Sequence, residues 1–141
     1  MNKNTLIKIT GTQRLGSDSD KIEMTTVGTL EETENEYILK YKEENEPPLM
    51  PNEVKLSITK DENKVEMLRS GRVGSLLIIE RSKRNLCNYA TEFGDILMGI
   101  YGRDIENTFD GEKGCFTFGY DIDVNGALTS QNEVKVELKI N

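Results

Sequence analysis

Apolar and polar residues alternate with a period of two along most of the chain. The clearest run is residues 133–140, in which four apolar side chains alternate with Glu and Lys, and residues 54–59 repeat the pattern. Such alternation places the apolar side chains on one face of a half-buried strand. No segment carries a 3.6-residue apolar period of useful length. The pattern therefore predicts an all-β chain.

The same alternation recurs, more weakly, in eight further segments. They are residues 5–13, 22–32, 37–41, 64–70, 75–81, 86–91, 95–103 and 114–124. Short turn signals lie between strands, and Asn125-Gly126 is the strongest because Asn-Gly accepts the positive φ angles of a two-residue hairpin. Strands joined by short turns favour a meander, and an apolar face shared by ten strands must be covered by closure or by stacking. We predict one antiparallel domain over residues 1–141, closed into a barrel of about ten strands, with a two-sheet sandwich as the alternative.

Two segments interrupt this rhythm. Residues 43–53 contain all three prolines of the chain among several acids, which predicts an exposed loop because proline cannot donate to a strand ladder. Residues 15–20 are rich in Gly, Ser and Asp and predict a second loop. We expect proteases to cleave first within Pro47 to Pro51, since this segment lacks ladder hydrogen bonds.

Length and charge narrow the class of protein. The chain has 141 residues, enough for one core, and a formal net charge of -7, which disfavours binding to the phosphates of nucleic acid. No apolar stretch reaches the length of a secretory signal or a membrane-spanning helix. We therefore expect a cytoplasmic protein with neither nucleic acid nor membrane as a partner.

Few residues offer catalytic or metal chemistry. The chain has no His, and its two cysteines, Cys87 and Cys115, are expected to be free thiols. Residues 121–126 match the opening of a calcium loop, but the twelfth position is Asn132 rather than Glu and a strand precedes the motif, so a hairpin is favoured. No phosphate loop or nucleophile elbow is present. We expect no enzyme activity, no metal and no cofactor.

The candidate site centres on Arg69, which shares strand parity with Val65 and Met67. If those two residues face the interior, Arg69 also faces inward, and a buried guanidinium needs a partner. Three arrangements satisfy this need: a ligand carboxylate or phosphate gripped by the guanidinium fork, an internal acid such as Glu80, Glu92, Asp95 or another, or water at the strand end.

Three tyrosines are candidates to join Arg69 in a ligand site. Tyr37, Tyr41 and Tyr89 occupy alternating strand positions from which their hydroxyl groups could donate to a bound molecule. The competing interpretation places their rings in the core and their hydroxyl groups at its rim.

Several short motifs resemble the YwiB-like family of uncharacterised bacterial proteins. They are the run Val65-Glu66-Met67-Leu68-Arg69-Ser70-Gly71, the pair of patterns Tyr37-x-x-x-Tyr41-x-Glu43-Glu44 and Tyr89-x-x-x-Phe93-Gly94, and the strand from Gly114 to Asp121. The resemblance spans nearly the whole chain. It implies a calycin-type barrel, the architecture of lipocalins and fatty-acid-binding proteins, in a Gram-positive bacterium. It implies no activity, because the family is itself unassigned.

Two hypotheses about function follow. In the first, the barrel interior or mouth takes a small amphipathic or anionic molecule whose charged end Arg69 holds, since barrels of this size commonly enclose a cavity. In the second, the interior is filled, and the outer surface contacts another protein or a second copy in a homodimer.

Overall fold

A computed structural model describes residues 2–43, 52–70, 75–91 and 94–141, without the side chains of residues 89–91. The described residues form ten strands joined in chain order. They are β1 (Asn2–Leu15), β2 (Asp18–Glu32), β3 (Glu36–Glu43), β4 (Asn52–Thr59), β5 (Lys64–Ser70), β6 (Ser75–Glu80), β7 (Arg84–Thr91), β8 (Gly94–Asn107), β9 (Lys113–Val124) and β10 (Ala127–Ile140). The predicted all-β class is confirmed. No helix within these residues is long and apolar enough to cross a membrane.

The strands pair antiparallel with their neighbours in sequence, and β1 closes the barrel by pairing with both β2 and β10. The predicted meander and its closure are therefore confirmed. The seam between β6 and β7 is the loosest, with one residue pair joining Ser75 to Tyr89. Beside it, β8 contains a bulge between Gly102 and Ile105, and the Arg81 guanidinium donates to the carbonyl oxygen of Ile105.

Two loop predictions need correction. The predicted loop at residues 15–20 is a tight turn, because β1 continues to Leu15 and β2 begins at Asp18. The apolar pattern does not reveal these strand ends, because most of this hairpin is exposed on both faces and so needs no apolar alternation. In the proline-rich segment, Glu43 belongs to β3 and β4 begins at Asn52, while residues 44–51, including Pro47 to Pro51, lie outside the described residues.

The apolar parity of the strands lines the barrel, and the two ends of the barrel are filled differently. At the end where β3 and β9 begin, which we call the closed end, Tyr37, Phe109 and Phe116 form an aromatic cluster with ring centroids 5.4 to 6.2 Å apart. Phe116 and Phe118 are among the largest fully buried side chains. Edge-to-face contacts of this kind fill volume well, so the interior is packed at the closed end.

Candidate functional site

The opposite end of the barrel contains a cavity of about 750 Å³, which we call the mouth cavity. Its walls include the apolar side chains of Leu77, Met98, Ile122 and Val134, and Arg69 also lines it. The β1–β2 hairpin borders the cavity with residues 11–13 and 20–22. Strand order explains the convergence, because β5 ends at this mouth whereas β6 and β8 begin there. The mouth cavity thus combines an apolar wall with a polar rim.

The Arg69 guanidinium forms a two-point ion pair with Glu43. Nε donates to Oε1 at 2.7 Å and Nη2 donates to Oε2 at 3.1 Å, with the two side chains 29% and 23% exposed. Burial alone would lower the pKa of Arg69, but the hydrogen bond and negative charge of Glu43 more than offset it, so the pKa is raised. Of the arrangements considered for Arg69, the structure shows pairing with an internal acid.

This ion pair leaves part of the guanidinium available. The guanidinium carries five N–H donors. Among the described residues, its hydrogen-bond acceptor is Glu43. Two donors are used, so three, including both on Nη1, have no partner among the described residues. A guanidinium can therefore bind a second planar anion on its other edge without releasing Glu43.

Tyr41 is the predicted tyrosine that lies beside Arg69. Tyr41 pairs with Val54 across β3 and β4, and Val54 pairs in turn with Arg69 on β5, so the three residues form one row. Burial raises the pKa of the Tyr41 phenol, with the negative charge of Glu43 adding to the rise and Arg69 opposing it. Tyr41 therefore remains neutral and able to donate at physiological pH.

Tyr120 is a second buried phenol near this row. It lines the mouth cavity, and burial raises its pKa while the positive charge of Arg69 acts in the opposite direction. Its ring is stacked against Phe118, with centroids 6.3 Å apart. Tyr120 is therefore a better-placed donor for a molecule in the mouth cavity than the tyrosines named from the sequence.

Tyr37 lies at the closed end, away from Arg69. Its ring packs edge-on against Phe109, and the Lys60 ammonium lies 5.2 Å from the ring centroid. Tyr89 is in β7 and pairs with Ile96 of β8, but its side chain is outside the described set. The structure thus brings together Arg69 and Tyr41 and separates Tyr37 from them.

Three described basic residues that follow Arg69 in the sequence, Arg81, Lys83 and Arg84, are not among the residues that line the mouth cavity. Arg84 binds Asp123 with two hydrogen bonds, of 2.9 and 2.7 Å, on the outer face of the barrel. The Lys83 ammonium lies 3.7 Å from a carboxylate oxygen of Glu80. These three basic residues therefore have separate acidic or carbonyl partners.

The residues that resemble a calcium loop form a hairpin. Asn125 and Gly126 have φ angles of 55° and 85°, as the predicted two-residue turn requires. The carboxylates of Asp121 and Asp123 are paired with Arg103 and Arg84, respectively. Within the described parts of the chain, no group of three or more His, Cys, Asp or Glu residues is arranged to hold a metal ion.

A second concavity, of about 660 Å³, lies on the outer face of β2 to β5. Lys40, Lys42 and Lys55 line it together with the exposed side chains of Val27 and Leu68. Lys40 is the direct cross-strand partner of Lys55, and like charges in that position destabilise a sheet. Tyr41 also lines this concavity, but Arg69 lines the other one, so we place the candidate site in the mouth cavity.

Comparison with known families agrees with the resemblance noted from the sequence. A family model described as a domain of unknown function (DUF1934) matches residues 7–136. The chain belongs to the DUF1934 family. No curated protein matches the chain.

A solved structure supports the fold of this DUF1934 member. The crystal structure of ywiB protein from Bacillus subtilis matches with a TM-score of 0.86 over 99% of this chain and 93% of that chain. The two sequences are 19% identical, so the likeness establishes the shared barrel and carries no functional residue across.

Sequence reasoning missed Glu43, the residue that determines the geometry of Arg69. Glu43 lies two positions after Tyr41 and so has the same parity as Tyr37 and Tyr41. Extending that alternation by one step would have placed a carboxylate on the inward face near Arg69. Because prolines follow closely in the sequence, Glu43 was instead included in the predicted loop.

Proposed function

We propose that the mouth cavity binds a small amphipathic molecule whose anionic group is held by Arg69. One observation carries the proposal: a half-buried guanidinium, three of whose donors have no partner among the described residues, lines a cavity that also has the apolar side chains of Leu77, Met98 and Ile122 in its wall. Ligand sites typically combine an apolar lining with a few polar groups that fix orientation. The apolar part of the ligand would contact Leu77, Met98 and Ile122.

Glu43 has a defined role in this proposal. By occupying the Nε edge, it fixes the plane of the guanidinium and reduces the conformational freedom that binding would otherwise remove. It also cancels much of the positive charge of Arg69. Asp20 and Glu133 line the same cavity and add negative charge to its rim, which the ammonium group of Lys21 offsets only in part. These charges favour a singly charged headgroup, such as a carboxylate, over a multiply charged phosphate ester.

The size of the cavity is compatible with this ligand class. Its volume of about 750 Å³ falls in the range of pockets that enclose small organic molecules. Tyr41 and Tyr120 add neutral phenols close to Arg69, which are suited to donating hydrogen bonds to a carboxylate. We propose binding rather than catalysis, because these groups provide a polar anchor and an apolar wall.

The test is a comparison of thermal melts and calorimetric titrations with oleate and with a phosphorylated sugar as probes. For the wild type we expect saturable binding of oleate and a melting temperature raised by several degrees. In the double variant Arg69→Met/Glu43→Gln, the anchor is lost with no charge left unpaired, so this binding should be lost. Met98→Trp should also reduce binding, by filling the cavity.

Arg84→Met is the matched control. It removes another arginine with two hydrogen bonds to a carboxylate, but on the outer face of the barrel, so oleate binding should be unchanged. Equal loss in Arg84→Met and in the Arg69 variant would contradict the proposed site. Binding of the phosphorylated sugar in preference to oleate would contradict the assignment of a singly charged headgroup.

The alternative function is a structural or interaction barrel without a ligand. Native mass spectrometry of protein purified from its host distinguishes the two. Co-purified mass on each protomer would support ligand binding. Empty protomers, with a wild type that responds to neither probe, would favour the interaction barrel and overturn the proposed ligand site.

A further inference from the structure

The β1–β2 hairpin extends beyond its pairing with β3, and among the described residues one edge of its outer part has no partner strand. β2 pairs with β1 along its whole length, from Asp18 to Glu32, but it pairs with β3 only from Gly28 to Glu32. Residues 18–27 of β2 therefore have a partner strand on one side alone among the described residues. An open edge of this length presents unpaired backbone donors and acceptors that can add another strand.

The open edge also carries exposed apolar side chains. Ile22, at its centre, is 73% exposed, and Val27, at its inner end, is 64% exposed. Lys21 and Glu23 flank Ile22, point to the opposite face and form an exposed salt bridge with each other at 3.2 Å. Charged residues on an edge discourage indiscriminate strand pairing, so the order of these charges decides which partner strand fits.

The sequence of this edge is complementary to itself in one antiparallel register. If two copies of β2 meet with Ile22 opposite Ile22, each Lys21 lies opposite a Glu23 of the other copy, which makes two ion pairs. Moving the two-fold axis by one residue places Lys21 opposite Lys21 or Glu23 opposite Glu23, which is repulsive. The charges thus favour the register centred on Ile22 over both of its neighbours.

We propose that two copies of this chain associate by antiparallel pairing of residues 18–26 of β2, with the two-fold axis at Ile22. The occupant of the open edge is a second copy because the same nine residues supply both the apolar contact and the complementary charges. A C2 interface requires self-complementarity of this kind. One strand pair buries less area than a permanent dimer does, so the association depends on concentration.

This inference does not rest on the ligand proposed for the mouth cavity. The dimer contact uses the backbone edge of β2 and the side chains of Lys21, Ile22 and Glu23, and Lys21 and Ile22 also border the mouth cavity. The charged anchor of the ligand site is Arg69, which takes no part in the strand pairing. A failure of oleate to bind therefore leaves the dimer untouched, and the Arg69 variants should dimerise as the wild type does.

Charge reversal tests the proposal most sharply. In Lys21→Glu, both cross-strand pairs become Glu opposite Glu, and in Glu23→Lys both become Lys opposite Lys. Each single variant should raise the dimer dissociation constant about tenfold, measured by sedimentation equilibrium. The double variant Lys21→Glu/Glu23→Lys restores opposite charges in every pair and should return to the wild-type constant.

A mixture of the two single variants gives the decisive measurement. One copy then carries two acids and the other two lysines, so the mixed dimer should form in preference to either homodimer. If one of the two variants is labelled uniformly with 15N, native mass spectrometry distinguishes the mixed dimer from both homodimers by mass. A wild type that stays monomeric at millimolar concentration, or single variants that dimerise as the wild type does and show no preference for each other, would overturn the proposal.

Control variants separate the edge from general surface effects. Ile22→Asp should abolish dimerisation, whereas Leu128→Asp, which changes a side chain that is 63% exposed in β10, should leave it unchanged. The melting temperature of each variant shows whether the fold is intact. If Leu128→Asp abolished the dimer while Ile22→Asp preserved it, the interface would lie elsewhere and the proposal would be wrong.

Discussion

Removing either member of the Arg69–Glu43 pair should destabilise the barrel. Removing both should destabilise it by less than the sum of the two single effects. The two side chains are about a quarter exposed, so the pair lies between an exposed ion pair and a fully buried one. Exposed pairs contribute at most about 1 kcal/mol, whereas breaking a buried pair costs about 3–5 kcal/mol. We therefore expect Arg69→Met to lower the free energy of unfolding by about 2 kcal/mol.

The two single variants should differ for a physical reason. Arg69→Met leaves the Glu43 carboxylate without its two donors, whereas Glu43→Gln leaves a guanidinium whose side chain is 29% exposed to solvent. Glu43→Gln should therefore cost about 1 kcal/mol, because an amide oxygen can still accept from Nε. The double variant should recover about 1 kcal/mol of the summed loss, which is the coupling energy of the pair.

Urea unfolding of the four proteins, followed by circular dichroism, measures this cycle. The slope of the free energy against urea should be the same for all four, since none of the changes alters the surface exposed on unfolding by much. A coupling energy within about 0.3 kcal/mol of zero would refute the reasoning, because independent sites add within that range.

Three further predictions concern the strands around the mouth. Gly28→Ala should destabilise the protein by about 2 kcal/mol, because the new methyl group would overlap the carbonyl oxygen of Lys40 and force the strands apart. Gly11→Ala, where a methyl group meets nothing within 4 Å, should be close to neutral in the same urea assay, and equal costs would contradict the packing argument. Because burial raises the pKa of Tyr41, the folded chain keeps a proton that the unfolded chain releases above about pH 10, so stability should fall as pH rises beyond that point. Tyr41→Phe should make that fall shallower, and an unchanged slope would show that Tyr41 ionises freely in the folded chain. Lys40→Glu places a carboxylate opposite Lys55 in place of a like charge and should stabilise the sheet by about 0.5 kcal/mol, whereas a lower urea midpoint would show that the repulsion is already screened.

The sequence predicts the strands best where one face is buried. Residues 64–70 form β5 within the predicted bounds, because the inward side chains of Val65 and Met67 alternate with residues that stay outside the core. The alternation disappears in the β1–β2 hairpin, whose outer half is solvated on both faces, and this part was predicted as a loop. Backbone pairing with β1 rather than apolar burial holds residues 18–21 in a strand.

The sequence predicted which face of its strand each candidate residue occupies, but not which residues it contacts. Parity placed Arg69 and Tyr41 on the inward face, which the structure shows. It could not show that Tyr37, on the same face of the same strand, lies at the other end of the barrel, because the position of a residue along the barrel axis depends on the register of all ten strands. The partnership with Glu43 depends equally on how β3 and β5 end beside each other.

Closure of the barrel has a consequence for the folding rate, because one pair of strands joins the two ends of the chain. Thr5 pairs with Ile140 and Arg14 with Gln131, so the β1–β10 ladder joins residues more than a hundred positions apart, whereas most other ladders join near neighbours. Contacts between distant residues slow folding, because the intervening chain loses its freedom before they form. We therefore expect the hairpins to form first and the closure of the β1–β10 seam to limit the rate at which the sheet becomes a barrel.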